Sequence, residues 1–484
     1  MTEAEGVGPV VLAVDIGSSG VRCLGYRDDY RVVAVSERPL RTTDAADGRS
    51  THDWREVEEA TIAAIADLAA RFGDVRAVAM SGTASSLARS RRMPDGRPGE
   101  IGDVLLWSDT RAAAFADSAE EGAARYERTL CPSHISYWPA KLRWFAREGH
   151  DPGVLFAGAK DYLFELLTGR FWVDPMTAAA TGVFDSTRWN WDETLVATGL
   201  TAANLPEVHA AIESAPLRTD LAARTGLPAG TPIVLGGMDG PLAQLGASGF
   251  ATDAHTCTVG TSLAYRAGVQ RRTVDPQQRV WCYPVFDDFW VAGGAGSNGG
   301  NVFTWLAAVL GAADVGELVA QALQMAPEPS LLFLPYFHGE RAPLWSDDIR
   351  AALVGLAAHH GAADIARAAL DGVAAAALEL AAAVTDVAGP AREVRLTGGF
   401  VRSPEWTQLV TDALGAPSCV PDPDAATSTG AAVLAWMSLG HPRPAAPLPA
   451  VATQQRTPRA EVHDALLGVS QRLRRVRRAL EEAR

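Results

Sequence analysis

Lysine is almost absent from this chain, with Lys141 and Lys160 its two copies in 484 residues. A Walker-type phosphate loop needs a lysine followed by Ser or Thr. Lys141 precedes Leu142 and Lys160 precedes Asp161, so that loop is excluded. Cysteine is sparse as well: Cys23, Cys131, Cys257, Cys282 and Cys419 are widely scattered with no CxxC spacing, which argues against a disulfide framework or a zinc knuckle and for a reducing compartment. No HExxH or other metal spacing occurs among the histidines. Basic charge is in deficit, 43 Lys and Arg against 57 Asp and Glu for a net charge of -14, and a nucleic-acid backbone asks for the opposite. The one basic cluster, residues 472–478, reads as the solvated face of a short C-terminal helix. No basic-then-apolar leader opens the chain, and no apolar run is read as approaching the roughly 20 residues of a membrane span. The expectation is a cytoplasmic protein with neither nucleic-acid nor membrane partners.

What remains is a globular composition, 48% hydrophobic and 21% charged, on a chain too long for one ordinary core. Strand-like runs at 10–14, 31–35 and 75–80 surround a helical run at 57–72, which suits a mixed sheet with a crossover. Residues 109–167 read as a helical, aromatic-rich insertion. A second cycle of strand, glycine turn, strands and helices starts near His255, with helices at 302–310 and 362–387. The halves look like a divergent duplication around a cleft. Residues 441–459, rich in Pro and Ala, read as an irregular connector.

Three turns share one pattern. Val11-Leu-Ala-Val-Asp15-Ile-Gly17-Ser18-Ser19-Gly20, Cys257-Thr-Val-Gly260-Thr261-Ser262 and Glu393-Val-Arg-Leu-Thr397-Gly398-Gly399 each run from an apolar strand into small, flexible residues. Main chain without a Cβ can approach a flat or anionic ligand, so the trio reads as a phosphate and nucleoside site. Asp15 then suits Mg²⁺, a hard cation that prefers oxygen, although a carboxylate there also caps its own turn. Without a P-loop, an ATP site built on glycine turns, hydroxyls and an arginine such as Arg22 points to an actin-like arrangement with phosphates clamped between two domains. Gly294-Ala-Gly296-Ser-Asn-Gly299 fits GxGxxG, so a dinucleotide site is the competing reading, although no N-terminal βαβ unit surrounds this copy.

Asp239, between glycines after the apolar run 232–235, is expected on a tight turn. There it serves either as a base for a hydroxyl proton or as a brace for its own turn. Trp107-Ser-Asp109-Thr-Arg111 suits polyol recognition, the ring covering a sugar face and Asp109 accepting from hydroxyls. The loop Gly339-Glu340-Arg341-Ala342-Pro343-Leu344-Trp345 reads first as a structural corner.

Taken in order, Asp15 to Arg22, Gly236 to Gly240, Gly260 to Ser262, Asn298-Gly-Gly300 and Thr397-Gly-Gly-Phe-Val-Arg-Ser403-Pro-Glu-Trp406 resemble the FGGY carbohydrate kinases over nearly the whole chain. The resemblance implies an α/β protein of two ribonuclease-H-like (actin-like ATPase) domains with an interdomain cleft. Residues 1–248 would hold the sugar and the base, and residues 249–484 the nucleotide. It implies γ-phosphoryl transfer from ATP to a hydroxyl of a sugar or sugar acid, with Mg²⁺ positioned by Asp15. Ser18, Ser19, Gly20 and Arg22 would face the phosphates, Gly260 and Thr261 would form the second phosphate loop, and Gly300, Thr304, Gly399 and Ser403 would line the nucleotide side. Asp239 would be the general base, and Thr83, Ser85, Trp107 and Asp109 would face the sugar. Homodimers are common in the family.

Several loops look like those of gluconate kinases: Trp107 to Arg111, Cys131-Pro-Ser-His134 before Lys141-Leu-Arg-Trp144, Asp239-Gly-Pro-Leu242, and Gly339 to Trp345. Ala84-Ser85 stands where xylulose and gluconate kinases usually carry Met-His. D-gluconate is therefore the first expectation, and a ketopentose such as xylulose or ribulose the second. From another class, an actin- or chaperone-like interaction ATPase would hydrolyse ATP with no small acceptor.

Overall fold

The computed structural model describes residues 8–94, 97–99, 101–149, 153–193, 198–421, 425–444 and 455–482. The first half opens with strands β1 (Val10–Ile16), β2 (Gly20–Tyr26) and β3 (Val32–Pro39), then helix α1 (Trp54–Ala69) and strand β4 (Val75–Gly82). A mostly helical insertion follows with α2 (Ala119–Thr129), α3 (Trp138–Arg147), α4 (Ala159–Thr168) and α5 (Pro175–Ala179). The chain returns through β5 (Ser214–Pro216), α6 (Thr219–Thr225), β6 (Pro232–Met238) and α7 (Asp239–Ser248). The six strands form one sheet in the order β5-β6-β4-β1-β2-β3. Within it β6, β4 and β1 run parallel, while β1, β2 and β3 pair antiparallel.

β1 is central, so both its faces need cover, and its alternating side chains divide between two cores. Leu12, Val14 and Ile16 join Val57, Ile65 and Leu68 of α1. Val11 and Ala13 join Leu242 and Leu245 of α7 on the opposite face. The helix α1 starts where the Asp53 side chain accepts from the Arg55 amide, three residues before the sequence pattern places it. β2 escapes a reading by hydropathy because Gly20, Arg22 and Gly25 interrupt it, yet it pairs with β1 from Val11 to Ile16.

The second half repeats this plan. β7 (Ala254–Val259), β8 (Leu263–Val269), β9 (Trp281–Phe286) and β10 (Phe289–Ala295) lead to helices α8 (Asn301–Leu310), α9 (Val315–Gln324) and α10 (Ala362–Ala388). Then come β11 (Glu393–Thr397), α11 (Pro404–Leu414), β12 (Ser418–Cys419), α12 (Ala426–Ser438), β13 (Gln455–Arg456) and α13 (Ala460–Glu482). The sheet order is β9-β10-β8-β7-β11-β12-β13. As in the first half, an antiparallel hairpin opens the sheet and strands β11 and β12 add in parallel.

Sequence expectations change at the C-terminal helix, at α10 and in part of the connector, and the competing dinucleotide reading does not fit the fold. The basic C-terminal helix is 23 residues long and packs on α10, with Leu466, Ser470 and Leu473 buried and Arg477 bonded to Glu379 at 3.0 Å. The alanine-rich α10 is long and apolar enough to cross a membrane by length and composition, contrary to the reading that no such run exists. In this fold 78% of its apolar window is buried, in the core of the second half. Gly294, Gly296 and Gly299 do not open a βαβ unit, because β10 runs antiparallel between β8 and β9. These glycines make room for Leu380, Glu340 and the Ser262 main chain instead. Of the predicted connector, residues 445–454 lie outside the described residues, and 455–456 form β13.

The halves meet where α7 crosses α12. α12 belongs to the second half by sequence but lies on β1, β4 and β6 of the first sheet, while α7 lies against β7 and β8 of the second. The crossing is closed by glycines: a Cβ on Gly246 would fall 1.8 Å from the Ala426 carbonyl oxygen, and one on Gly430 would fall 2.1 Å from that of Leu242. No rotamer relieves a contact with main chain, so the helices must separate to admit a methyl group. Gly246→Ala is expected to cost at least about 1–3 kcal/mol of stability. Gly73→Ala, where nothing lies within 4 Å of the added carbon, is the near-neutral control. Thermal or urea unfolding reads both, and equal stability of the two variants would refute the crossing as a point of tight contact.

Candidate active site

The three glycine turns follow the C-terminal ends of β1, β7 and β11. The first is a tight reversal in which the Gly17 amide donates to the Gly20 carbonyl at 2.9 Å. Its carbonyls are held from outside: the Ser18 oxygen is 3.0 Å from His52 Nε2, and the Ser19 oxygen accepts from the Leu40 amide at 3.1 Å. Both serine side chains stay exposed. The second turn closes from the Gly260 amide to the Ser262 carbonyl at 2.9 Å, and the Gly260 carbonyl accepts from the Gly300 amide at 2.7 Å, docking the start of α8. Gly300 must be glycine there, because a Cβ would stand 2.7 Å from that same oxygen. In the third, Gly398 at φ +100 brings the turn over Val259, and Thr397 and Thr258 share a hydroxyl contact of 2.8 Å just beneath. Gly399 has open space where a side chain would be, and Thr304 is exposed on α8.

Two carboxylates converge at the matching edge of the first sheet. Asp15 of β1 lies in register with Ser81 of β4, and Ser81 with Gly237 of β6, so one row crosses three parallel strands. The Ser81 hydroxyl donates to Asp15 at 3.1 Å. Gly236, at φ +67 in a bulge that shifts the register of β6, packs against the Met80 carbonyl and re-aims the strand end. Asp239 therefore begins α7 rather than sitting on an isolated turn as the sequence suggested. Its carboxylate accepts from the Gly240 amide at 2.8 Å and from the main chain of Ala84. Ala84 thus contributes through its amide, which does not depend on its side chain.

Burial, then the neighbouring Asp239 charge, pushes the Asp15 carboxyl up to about 6 despite the Ser81 bond and Arg22. Burial also raises Asp239, against Arg266, the two main-chain donors and Arg341. Two facing carboxylates, each unfavourable as an anion, are a place for added positive charge. Among the described residues no three His, Cys, Asp or Glu side chains cluster as a metal site, so a hard cation here would take its other ligands from phosphate and water.

Several predicted residues have their polar atoms engaged within the protein. Arg22 pairs with Glu37 at 2.8 Å. The Thr83 hydroxyl donates to the Ile16 carbonyl and the Ser85 hydroxyl to the Ala180 carbonyl, both at 2.8 Å. Asp109 is gripped by Arg111 at 2.7 Å and accepts from the Ser50 amide. Ser403 caps α11 by accepting from the Trp406 amide at 3.2 Å. The site's wall is instead carried by Trp107, over whose ring the Arg341 guanidinium lies at 4.0 Å, and by the buried Tyr137, 3.4 Å from Tyr283 through their hydroxyls.

Arg266 and Arg341 were not singled out as site residues from the sequence. The available signal was one charge inside the apolar strand β8 and another in a proline-bearing loop. Glu340 does act as a corner, accepting from the Ser297 amide, the Asn298 side chain and the Arg341 amide. Both lysines are buried and structural. Lys141 donates to the carbonyls of Leu106 and Ser136, holding the approaches to Trp107 and Tyr137, and Lys160 bridges Asp161 and Asp174.

Residues 10–246 match the N-terminal domain profile of the FGGY family of carbohydrate kinases, and residues 255–439 match the C-terminal domain profile. A gluconokinase of Bacillus subtilis is 29% identical over 453 residues, 89% of this chain and 88% of that protein. A gluconate kinase structure from Lactobacillus acidophilus superposes with a TM-score of 0.89 at 24% identity, covering 98% of each chain. A xylulose kinase structure from the same organism gives 0.90 at 24% identity, covering 98% of this chain and 99% of that one.

A raised carboxyl pKa carries a stability cost with a defined sign. The folded protein holds the Asp15 proton to about pH 6 and an unfolded aspartate only to about 3.8, so stability falls as pH climbs between these values and stays reduced above them. Asp15→Asn is therefore expected to stabilise the ligand-free protein by about 1–3 kcal/mol at pH 8 and to lose that advantage near pH 4. Unfolding curves at both pH values test this, and an equal effect at the two would refute it.

Proposed function

The chain belongs to the FGGY family of carbohydrate kinases, and from that premise we propose that it phosphorylates a hydroxyl of a sugar acid, D-gluconate first, with ATP as donor. The observation that carries the reading is the meeting of Asp15 and Asp239 at one sheet edge, together with the likeness to a gluconokinase over 89% of the chain. In this reading residues 1–248 hold the acceptor and the base, and residues 249–484 hold the nucleotide.

Asp239 accepts the acceptor's hydroxyl proton as that oxygen bonds to the γ-phosphorus and the bond to the ADP oxygen breaks. Its raised pKa keeps the carboxylate basic enough for this task. The hydroxyls of Ser18, Ser19 and Thr261, with the main chain of Gly20 and Gly260, hold phosphate oxygens, and Arg22 adds a positive charge beside them. Gly300, Thr304, Gly399 and Ser403 flank the nucleoside. Asp15 would hold Mg²⁺, which supplies charge neutralisation to the phosphates when it enters with ATP. A ketopentose such as xylulose is the second reading, supported by a xylulose kinase of Escherichia coli that is 26% identical over 420 residues, 84% of this chain.

ADP release from Mg·ATP with gluconate, with xylulose and with no acceptor tests the assignment. Gluconate is expected to give the strongest stimulation. Preference for xylulose would establish the second reading, and release that no acceptor stimulates would remove both. Asp239→Asn is expected to lower kcat by on the order of 10² to 10⁴-fold while ATP still binds. In the wild type kcat falls on the acid side, as a raised base pKa requires, and a near-normal rate in the variant would take Asp239 out of the mechanism.

A further inference from the structure

Arginines in this protein are commonly paired with carboxylates, as in Arg125 with Asp117, Arg279 with Asp275 and Arg367 with Asp371. The two that face the cleft differ. Arg266, the one charged residue of β8, donates through Nη1 to the Thr258 hydroxyl at 3.1 Å, and its Nε is buried without a partner. Arg341 donates through Nη2 to the Gly296 carbonyl at 2.7 Å, lies over Trp107, and also has a buried, unpartnered Nε. Among the described residues neither forms an ion pair with Asp239, although both act on it electrostatically. A gap therefore separates the base from two cations that repel one another.

Burial holds both guanidinium groups below the ordinary arginine range, and the Arg341 charge adds to the lowering of Arg266. Leaving two such cations without an ion pair is unfavourable, and an anionic ligand offsets the cost. A planar guanidinium with a free Nε–H is suited to a carboxylate. Arg341 sits against Trp107 and Tyr137, aromatic groups of the first half, so in the sugar-acid reading the anion it awaits belongs to the acceptor rather than to ATP.

We infer that Arg266 and Arg341 together receive the carboxylate of the acceptor, making them the residues that select a sugar acid over a neutral polyol. This inference rests on the sugar-acid reading above. The acceptor would lie with one hydroxyl at Asp239 of the first half and its carboxylate in the arginine pair of the second, so the second half would add an acceptor contact to its nucleotide site, and Trp107 would hold Arg341 in place.

The test measures kcat and KM for D-gluconate, D-glucitol (the same carbon chain with an alcohol for the carboxylate) and D-xylulose in the wild type, Arg266→Met and Arg341→Met. Arg266→Lys and Arg341→Lys keep charge without the fork, and ATP affinity confirms that each variant is folded. The ratio of kcat/KM for gluconate to that for a neutral acceptor is expected to fall on the order of 10- to 100-fold in each Met variant, mainly through KM. The Lys variants should recover part of it. Unchanged gluconate KM in folded variants overturns the inference and leaves the sugar-acid reading standing. Loss of kcat in equal proportion on every acceptor also overturns it, and assigns the arginines to phosphoryl transfer. A wild type that uses only neutral acceptors removes the sugar-acid reading and this inference with it.

Discussion

The contact on which the arrangement depends is main chain against main chain, where α7 and α12 cross at Gly246 and Gly430. Each helix serves the opposite half: α12 covers β1, β4 and β6 of the first sheet, and α7 packs on β7 and β8 of the second. Because no side chain intervenes, there is no flexible layer to absorb a change in helix separation. Asp239 is the first residue of α7, and the second and third glycine turns leave the sheet that α7 packs against. The crossing therefore sets the distance between the proposed base and the proposed phosphate turns. It also favours rotation about the glycine contact over translation as the way for the halves to move, since sliding would drive carbonyl oxygens into the facing backbone.

Electrostatics follow from that placement. Parallel strands bring Asp15 and Asp239 to one edge, and the second half faces them with Arg266 and Arg341. Neither half is balanced alone, with the first presenting negative charge at its sheet edge and the second presenting positive charge that lacks partners. The scarcity of lysine belongs to the same picture. Lys141 and Lys160 are both buried and committed to protein oxygens, so mobile positive charge near the cleft comes from arginines on fixed strands and loops. A guanidinium is planar and keeps its charge when partly desolvated more readily than an ammonium, which suits a site assembled from two converging surfaces.

How much of this was legible in the sequence depends on how local the signal was. The glycine turns were readable because an apolar strand breaking into small residues is contained within ten positions, and the repeated order of strands and helices exposed the duplication. Gly236-Gly237 reads as a strand break, which puts Asp239 on a turn. In the fold Gly236 forms a bulge against Met80, and Pro241 in the first helical turn was the sign that a helix follows. Thr83, Ser85 and Asp109 have the right chemistry for a sugar, but their polar atoms go to Ile16, Ala180 and Arg111, partners that only the tertiary structure reveals. Arg266 is silent for the converse reason: one charge in an apolar strand is visible in the sequence, but its missing partner is not. The apolar length of α10 is hard to see in the sequence because alanine gives a weak hydrophobic signal even when 27 residues run together as helix.

The same distribution of parts bears on how ATP is protected from water. The glycine turns come from both sheets, the carboxylates from the first half, and Arg341 reaches from the second half onto Trp107 of the first. Tyr137 likewise meets Tyr283 across the boundary. A site whose walls belong to different halves is complete only when the halves approach, and approach excludes water from between the carboxylates and the glycine turns. An acceptor with its carboxylate in the arginine pair and a hydroxyl at Asp239 would offset the repulsion between the guanidinium groups and bond to both sides of the gap at once. Its binding energy then favours the closed arrangement, whereas water, carrying no charge to either side, gains nothing from closure.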